Sequence, residues 1–199
     1  VYRTPPSDTT TDHRVIRKSN NYQIGVSPTD GTVVMWAYDG GTWHWLRTDA
    51  PYIVPLNEWH HVAGTYDSSV FKLYIDGSLA KTSASDVFSV NTDTSSLLLG
   101  GNNGGSNGVW EGKLDDIRLY DYARSATEIA QDFNAGSGRY FGYRSEIAEP
   151  DPATVQPPVA WWKFNEGGDT TVLDSSGNGH TGTITGAAWA DGKYGGALD

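Results

Sequence analysis

Residues 57–77, NEWHHVAGTYDSSVFKLYIDG, restrict the fold more than any other stretch of the chain. Polar and apolar residues alternate with period two in Phe71-Lys72-Leu73-Tyr74-Ile75, and Trp59-His60-His61-Val62-Ala63 mixes them without helical spacing, so both segments read as strands. Asp67-Ser68-Ser69 supplies turn residues between them, and Asp76-Gly77 closes the second strand with a tight turn that asks for positive φ at the glycine. The unit is a β-hairpin with Phe71, Leu73 and Ile75 toward a core and Lys72 toward water.

The same logic extends in both directions. Residues 13–18 read as a short basic edge strand, Tyr22-Gln23-Ile24-Gly25-Val26 alternates, Thr29-Asp30-Gly31 turns, and residues 32–38 are apolar enough for a central strand. Asp39-Gly40-Gly41 turns again into Thr42-Trp43-His44-Trp45-Leu46. Further strands are expected at 96–100 and 113–120, separated by the low-complexity loop GGNNGGSNG at 100–108. Ser125 and Glu128 have capping-box spacing before Ile129-Ala130-Gln131-Asp132-Phe133, with Gly136 as a stop, so one short helix fits. The 24 glycines, 8 tryptophans and 11 tyrosines among 199 residues suit a turn-rich all-β protein with one sizeable core. Prolines at 150, 152, 157 and 158 mark a linker.

Three stretches together carry a family resemblance: W-H-H-V-A-G-T-Y-D followed by L-Y-I-D-G in the hairpin, GKLDDIRLYDYARS at 112–125, and VAWWKFNEGGDTTVLDSSGNGHTGTITGAAWADGKYGGAL at 159–198. They resemble the LamG-like jelly roll of the concanavalin A-like lectin/glucanase superfamily. The resemblance implies an all-β, two-sheet antiparallel β-sandwich (jelly roll) with one short helix. In that family the V-A-W-W-K-F-N-E-G strand and the D-S-S-G-N-G-H loop open the domain, whereas here they stand at the C-terminus. Residues 1–145 are therefore expected to form the rear part of a sandwich, 146–158 a Pro-rich linker, and 159–199 the leading strands of a sandwich. Roughly 30 residues holding a few strands of typical length would join Leu198 to Val1 by the family pattern. The chain is read as a piece of a longer polypeptide, either circularly permuted or completed by strand exchange with a neighbour.

Two constellations point to chemistry. Trp36, Tyr38, Trp43, Trp45 and Tyr52 form the densest aromatic patch, and aromatic rings on a sheet surface can stack on the apolar faces of sugars. The alternative is that alternate members fill the core. In Asp174-Ser175-Ser176-Gly177-Asn178-Gly179-His180, oxygen-bearing residues alternate as in the first half of a calcium loop, with the His180 carbonyl as the next ligand, but the twelfth position is Thr185 rather than an acid. The resemblance implies that Asp115 and Asp116 complete a structural Ca2+ site with Asp174, Ser176, Asn178 and His180. His60 and His61, on opposite faces of one strand, read as packing residues.

Retaining glucanase chemistry needs two carboxylates about 5 Å apart, commonly as E-x-D-x-x-E, and the chain has no such run. It also lacks a cysteine nucleophile and a phosphate loop. A net charge of -10 without clustered basic residues disfavours nucleic acid and anionic membrane as partners, and no apolar run is long enough to insert in a bilayer. The expected function is a non-catalytic carbohydrate-binding or adhesion module of a secreted or cell-surface protein, binding a glycan or cell-surface ligand. The alternative is a structural repeat that assembles with a neighbouring repeat or chain; a glycoside hydrolase ranks below both.

Overall fold

The computed structural model describes residues 1–102, 107–136 and 156–199. In chain order the strands are β1 (Tyr2–Arg3), β2 (His13–Lys18), β3 (Tyr22–Val26), β4 (Val33–Tyr38), β5 (Trp43–Arg47), β6 (Val62–Tyr66), β7 (Phe71–Ile75), β8 (Ser78–Thr82), β9 (Leu97–Leu99), β10 (Gly112–Lys113) and β11 (Ile117–Leu119). The helix α1 (Ala126–Gly136) follows, then β12 (Ala160–Trp162), β13 (Thr171–Val172), β14 (Gly182–Thr183), β15 (Trp189–Asp191) and β16 (Gly196–Leu198). One sheet has the antiparallel order β5-β4-β3-β2-β9, and β6-β7-β8 form a second; β1 pairs β10, β11 pairs β12, β13 pairs β14 and β15 pairs β16. The chain is an all-β sandwich, as its patterning requires.

Alternation decides which residues enter the core. Phe71 and Leu73 of β7 are fully buried, and with Val26, Val33, Leu46 and Ile117 they belong to one apolar cluster. The expected turn after β7 is present, with positive φ at both Asp76 and Gly77. The chain then continues into β8, which its polar composition hides from sequence. The first hairpin strand begins at Val62 rather than Trp59, because Trp59 bridges Tyr2 of β1 and His60 exchanges backbone bonds with Val1 at 2.8 and 2.9 Å. The segment read as one strand over 113–120 is broken in two at Asp115 and Asp116, where Asp116 takes a φ of 51°. The helix forms as expected: Ser125 Oγ accepts from the Glu128 N–H at 3.3 Å and the Glu128 carboxylate accepts from the Ser125 N–H at 2.8 Å.

The C-terminal segment shares this core. Trp162, Phe164 and Val172 join the same apolar cluster as Phe71 and Leu73. β12 pairs with β11 with Ile117 opposite Trp162, and Leu198 bridges Leu114. Of the Pro-rich linker only residues 156–158 are described; 146–155 lie outside the described residues.

Candidate functional site

The aromatic patch lies on the outer face of the five-stranded sheet. Met35 and Ala37 of β4 and Leu46 of β5 point inward to the core cluster, so the intervening residues point outward. Register then pairs Trp36 with Trp45 and Tyr38 with Trp43 across β4 and β5. The second pair is in ring contact, with centroids 4.9 Å apart and planes inclined by 36°. Trp45 is 61% exposed and Trp43 40%, which decides against the core-filling alternative for these two. Trp36 is anchored more deeply, over Gly25 of β3, where a Cβ would stand 3.3 Å from its ring. Tyr52 is also exposed but belongs to the loop after β5 rather than to the sheet.

Polar side chains border the rings. Gln23 of β3 lies opposite Trp36, and Arg17 of β2 lies opposite Gln23, so the three form one cross-sheet row with Trp45. Arg47, next outward residue after Trp45, makes a fork to the Asp12 carboxylate with contacts of 3.1 and 2.5 Å. Sequence alone did not single out Gln23, Arg17 or Arg47, since only the strand order brings them beside the aromatics. The loop at 100–108, of which 103–106 lie outside the described residues, borders the far side of the sheet: Asn102 contacts Arg17 and the Gly108 carbonyl accepts from Arg14 N at 3.0 Å.

The β4–β5 turn is braced from behind. Asp39 Oδ1 accepts from the N–H groups of Gly41 and Thr42 at 2.7 and 2.6 Å. His44, on the inward side of β5, spans Asp39 and Asp86 at 3.2 and 2.8 Å and stacks on Phe88 with centroids 3.8 Å apart. Desolvation opposes protonation of this imidazole, but the two carboxylates outweigh it and raise its pKa. The aromatic strand is thus held by a charge-assisted clamp before any ligand arrives.

The expected calcium set is arranged differently. Asp174 Oδ1 accepts from the N–H groups of Trp161 and Ser176, both at 2.9 Å, while Oδ2 accepts from Ser176 Oγ at 2.8 Å and His180 N–H at 3.0 Å. Burial works against this carboxylate's charge, yet those donors hold its pKa well below the usual range. The Asn178 amide donates to the Val159 carbonyl at 3.0 Å, and the His180 carbonyl accepts from Trp162 Nε1 at 2.7 Å. Asp116 accepts from Trp161 Nε1 and from Arg118. Asp115 accepts from Tyr194 N–H at 2.8 Å, with its other oxygen buried and unpaired. Burial, helped by the Asp116 charge, pushes its pKa up. Among the described residues no three acidic or histidine side chains gather as a metal site. Both oxygens of Asp174 and of Asp116 and the His180 carbonyl accept from protein donors, while one Asp115 oxygen stays buried and unpaired. The alternating pattern instead builds an Asx-type loop that grips Trp161 and Trp162.

His60 and His61 point to opposite sides as their adjacency dictates. His60 Nδ1 pairs with Asp76 Oδ2 at 2.8 Å, and His61 lies against Phe133 of α1 with centroids 6.0 Å apart. Burial lowers the His61 pKa to about 4.

A family model described as the concanavalin A-like lectin/glucanases superfamily, laminin-G type, matches residues 2–130. No curated protein matches the chain. Among solved structures, a protein of Bacteroides ovatus named as a candidate carbohydrate-binding protein superposes with a TM-score of 0.62 at 17% identity, over 92% of this chain and 50% of its own. An S-layer domain-containing protein of Clostridium thermocellum matches at 21% identity and a TM-score of 0.36, over 64% of this chain and 66% of its own. A heptameric pentraxin of Limulus polyphemus matches at 18% identity and a TM-score of 0.43, over 65% of this chain and 63% of its own. The chain thus spans half the length of the Bacteroides structure.

Proposed function

The chain belongs to the concanavalin A-like lectin/glucanase superfamily, and from that premise we propose that it is a non-catalytic carbohydrate-binding module of a secreted or cell-surface protein. One observation carries the reading: the cross-strand pairs Trp36–Trp45 and Tyr38–Trp43 stand on an outward sheet face with Trp43 and Trp45 exposed. Rings held this way offer flat apolar surfaces to the C–H faces of a sugar, and Gln23, Arg17 and Arg47 supply polar groups for its hydroxyls. The name of the Bacteroides ovatus protein points the same way. A purely structural repeat would have these aromatics buried, so their exposure favours the glycan reading. The order of family segments supports a circularly permuted sandwich, with 159–199 supplying leading strands to the body formed by 1–145.

The test is a glycan array followed by titration calorimetry on the binders it finds. Trp43→Ala and Trp45→Ala are each expected to weaken binding about tenfold, on the order of 1.4 kcal/mol, and the double variant to abolish it while its circular dichroism stays unchanged. Full affinity in the double variant, or no glycan bound by the parent chain, would overturn the reading.

A further inference from the structure

We propose that the outward face of β2, β3, β4 and β5 binds a glycan built of uronic acid sugars, with the Arg17 guanidinium taking the carboxylate of a ring stacked on Trp36. This deepens the glycan reading and rests on it.

Two neighbouring cross-sheet rows make the face. The first is Arg17, Gln23, Trp36 and Trp45, and register puts Arg14, Gly25, Val34 and Arg47 in the second. Trp36 belongs to both, because its ring leans over Gly25, where a Cβ would stand 3.3 Å from it. The eight positions hold three cationic side chains and no acidic one, in a chain whose net charge is -10. A face of that sign on an acidic molecule is a local field for an anion.

The three guanidinium groups are not equivalent. Arg47 forks onto the Asp12 carboxylate and donates to Thr32 Oγ1 at 3.1 Å, and Arg14 donates to the Asp12 carbonyl at 2.8 Å. Both are therefore engaged in holding the loop before β2. Arg17 Nη1 donates to Oδ1 of the neutral Asn102, and among the described residues no carboxylate pairs with Arg17 and no acceptor meets its Nε or Nη2. The Arg17 charge is felt by Arg14, whose pKa is lowered first by burial and then by Arg17, against the pull of Asp12 and Asp8. An anion beside Arg17 relieves that repulsion, and a neutral sugar does not.

Spacing narrows the anion to one carried on the sugar ring itself. Arg17 and Trp36 are two ladder steps apart, roughly 10 Å at the backbone, with Gln23 between them. A pyranose lying flat on Trp36 holds an equatorial carboxylate in the plane of its ring, projecting across Gln23 toward Arg17. A planar carboxylate meets a guanidinium fork with two parallel N–H···O bonds, while the Gln23 amide serves a ring hydroxyl. The exposed Trp45 takes the next ring along the row. Stacking thus supplies the apolar contact and Arg17 the choice between an acidic and a neutral sugar.

The test measures affinity by titration calorimetry for a short oligomer of glucuronic acid and for the same oligomer with each carboxylate reduced to a hydroxymethyl group. The parent chain is expected to bind the uronate about tenfold more tightly than its reduced form. Arg17→Gln is expected to bring that ratio near one by weakening the uronate more than the neutral form, and Arg17→Lys, which keeps the charge but not the fork, to retain part of it. Equal affinity of the parent for the two oligomers, or a ratio unchanged in Arg17→Gln, would overturn the proposal, and the glycan reading would stand wherever binding still depends on Trp43 and Trp45. Binding of neither oligomer while other array glycans bind would overturn it in the same way, and only an array with no binder takes both readings. A sulfated form of the reduced oligomer bound as tightly as the uronate would overturn the carboxylate in favour of any anion.

Discussion

At the scale of single residues, two histidines give opposite dependences on pH. His61 is buried against Phe133 with its pKa lowered from 6.5 to about 4, by desolvation first, so the unfolded chain takes up its proton before the folded one does. Stability therefore falls as pH drops from 6.5 toward 4, and His61→Gln is expected to flatten the melting temperature over that window relative to the parent. His44 has a raised pKa despite desolvation, because Asp86 and Asp39 favour its charged form. Its contribution is present below the ordinary histidine value and is lost as pH rises through the folded one. Melting curves from pH 6 to 9 are expected to show that decline in the parent and its absence in His44→Gln. Asp174 is the residue whose role the sequence leaves most open. Alternating oxygens suit an ion or a turn, and the spacing does not reveal the donors of Trp161, Ser176 and His180 that converge on this carboxylate.

At the scale of elements, that loop yields a paired expectation. Asp174→Ala leaves several donors without an acceptor and is expected to cost about 2–4 kcal/mol in a denaturant titration, whereas a chelator leaves the midpoint of the parent unchanged. A lowered midpoint after chelation, restored by calcium, would contradict this. Ser125→Ala is expected to cost about 1 kcal/mol by removing one half of the α1 capping box. Legibility varies between elements for physical reasons. The turn at Asp76–Gly77, the inward set Phe71, Leu73 and Ile75, and the start of α1 are local, and spacing alone reveals them. The start of β6 is not local, because Trp59 and His60 are claimed by a strand more than fifty residues away in sequence. The break at Asp115–Asp116 was also hidden: a non-glycine φ of 51° in an otherwise continuous strand pattern is imposed by tertiary packing. β8 escaped because Ser78, Leu79 and Lys81 carry no inward stripe. The aromatic site was half legible, since composition marks the tryptophans but only the order β5-β4-β3-β2 sets Gln23 and Arg17 in their row.

At the scale of the whole molecule, the segment after the prolines and the body before them share one apolar interior, through Trp162, Phe164 and Val172 on one side and Phe71, Leu73 and Ile117 on the other. Phe164→Ala is expected to cost about 3–5 kcal/mol and to lower a single unfolding transition, where two independent units would give two. Differential scanning calorimetry separates these outcomes. The tryptophans, finally, differ in a way that light can read. Trp162 is 5% exposed and hydrogen-bonds a carbonyl, while Trp45 at 61% stands in solvent. A soluble quencher should therefore extinguish the red-shifted emission of the outer ring first and leave the inner fluorophore bright, so that the two surfaces of one sandwich report separately from an unlabelled sample.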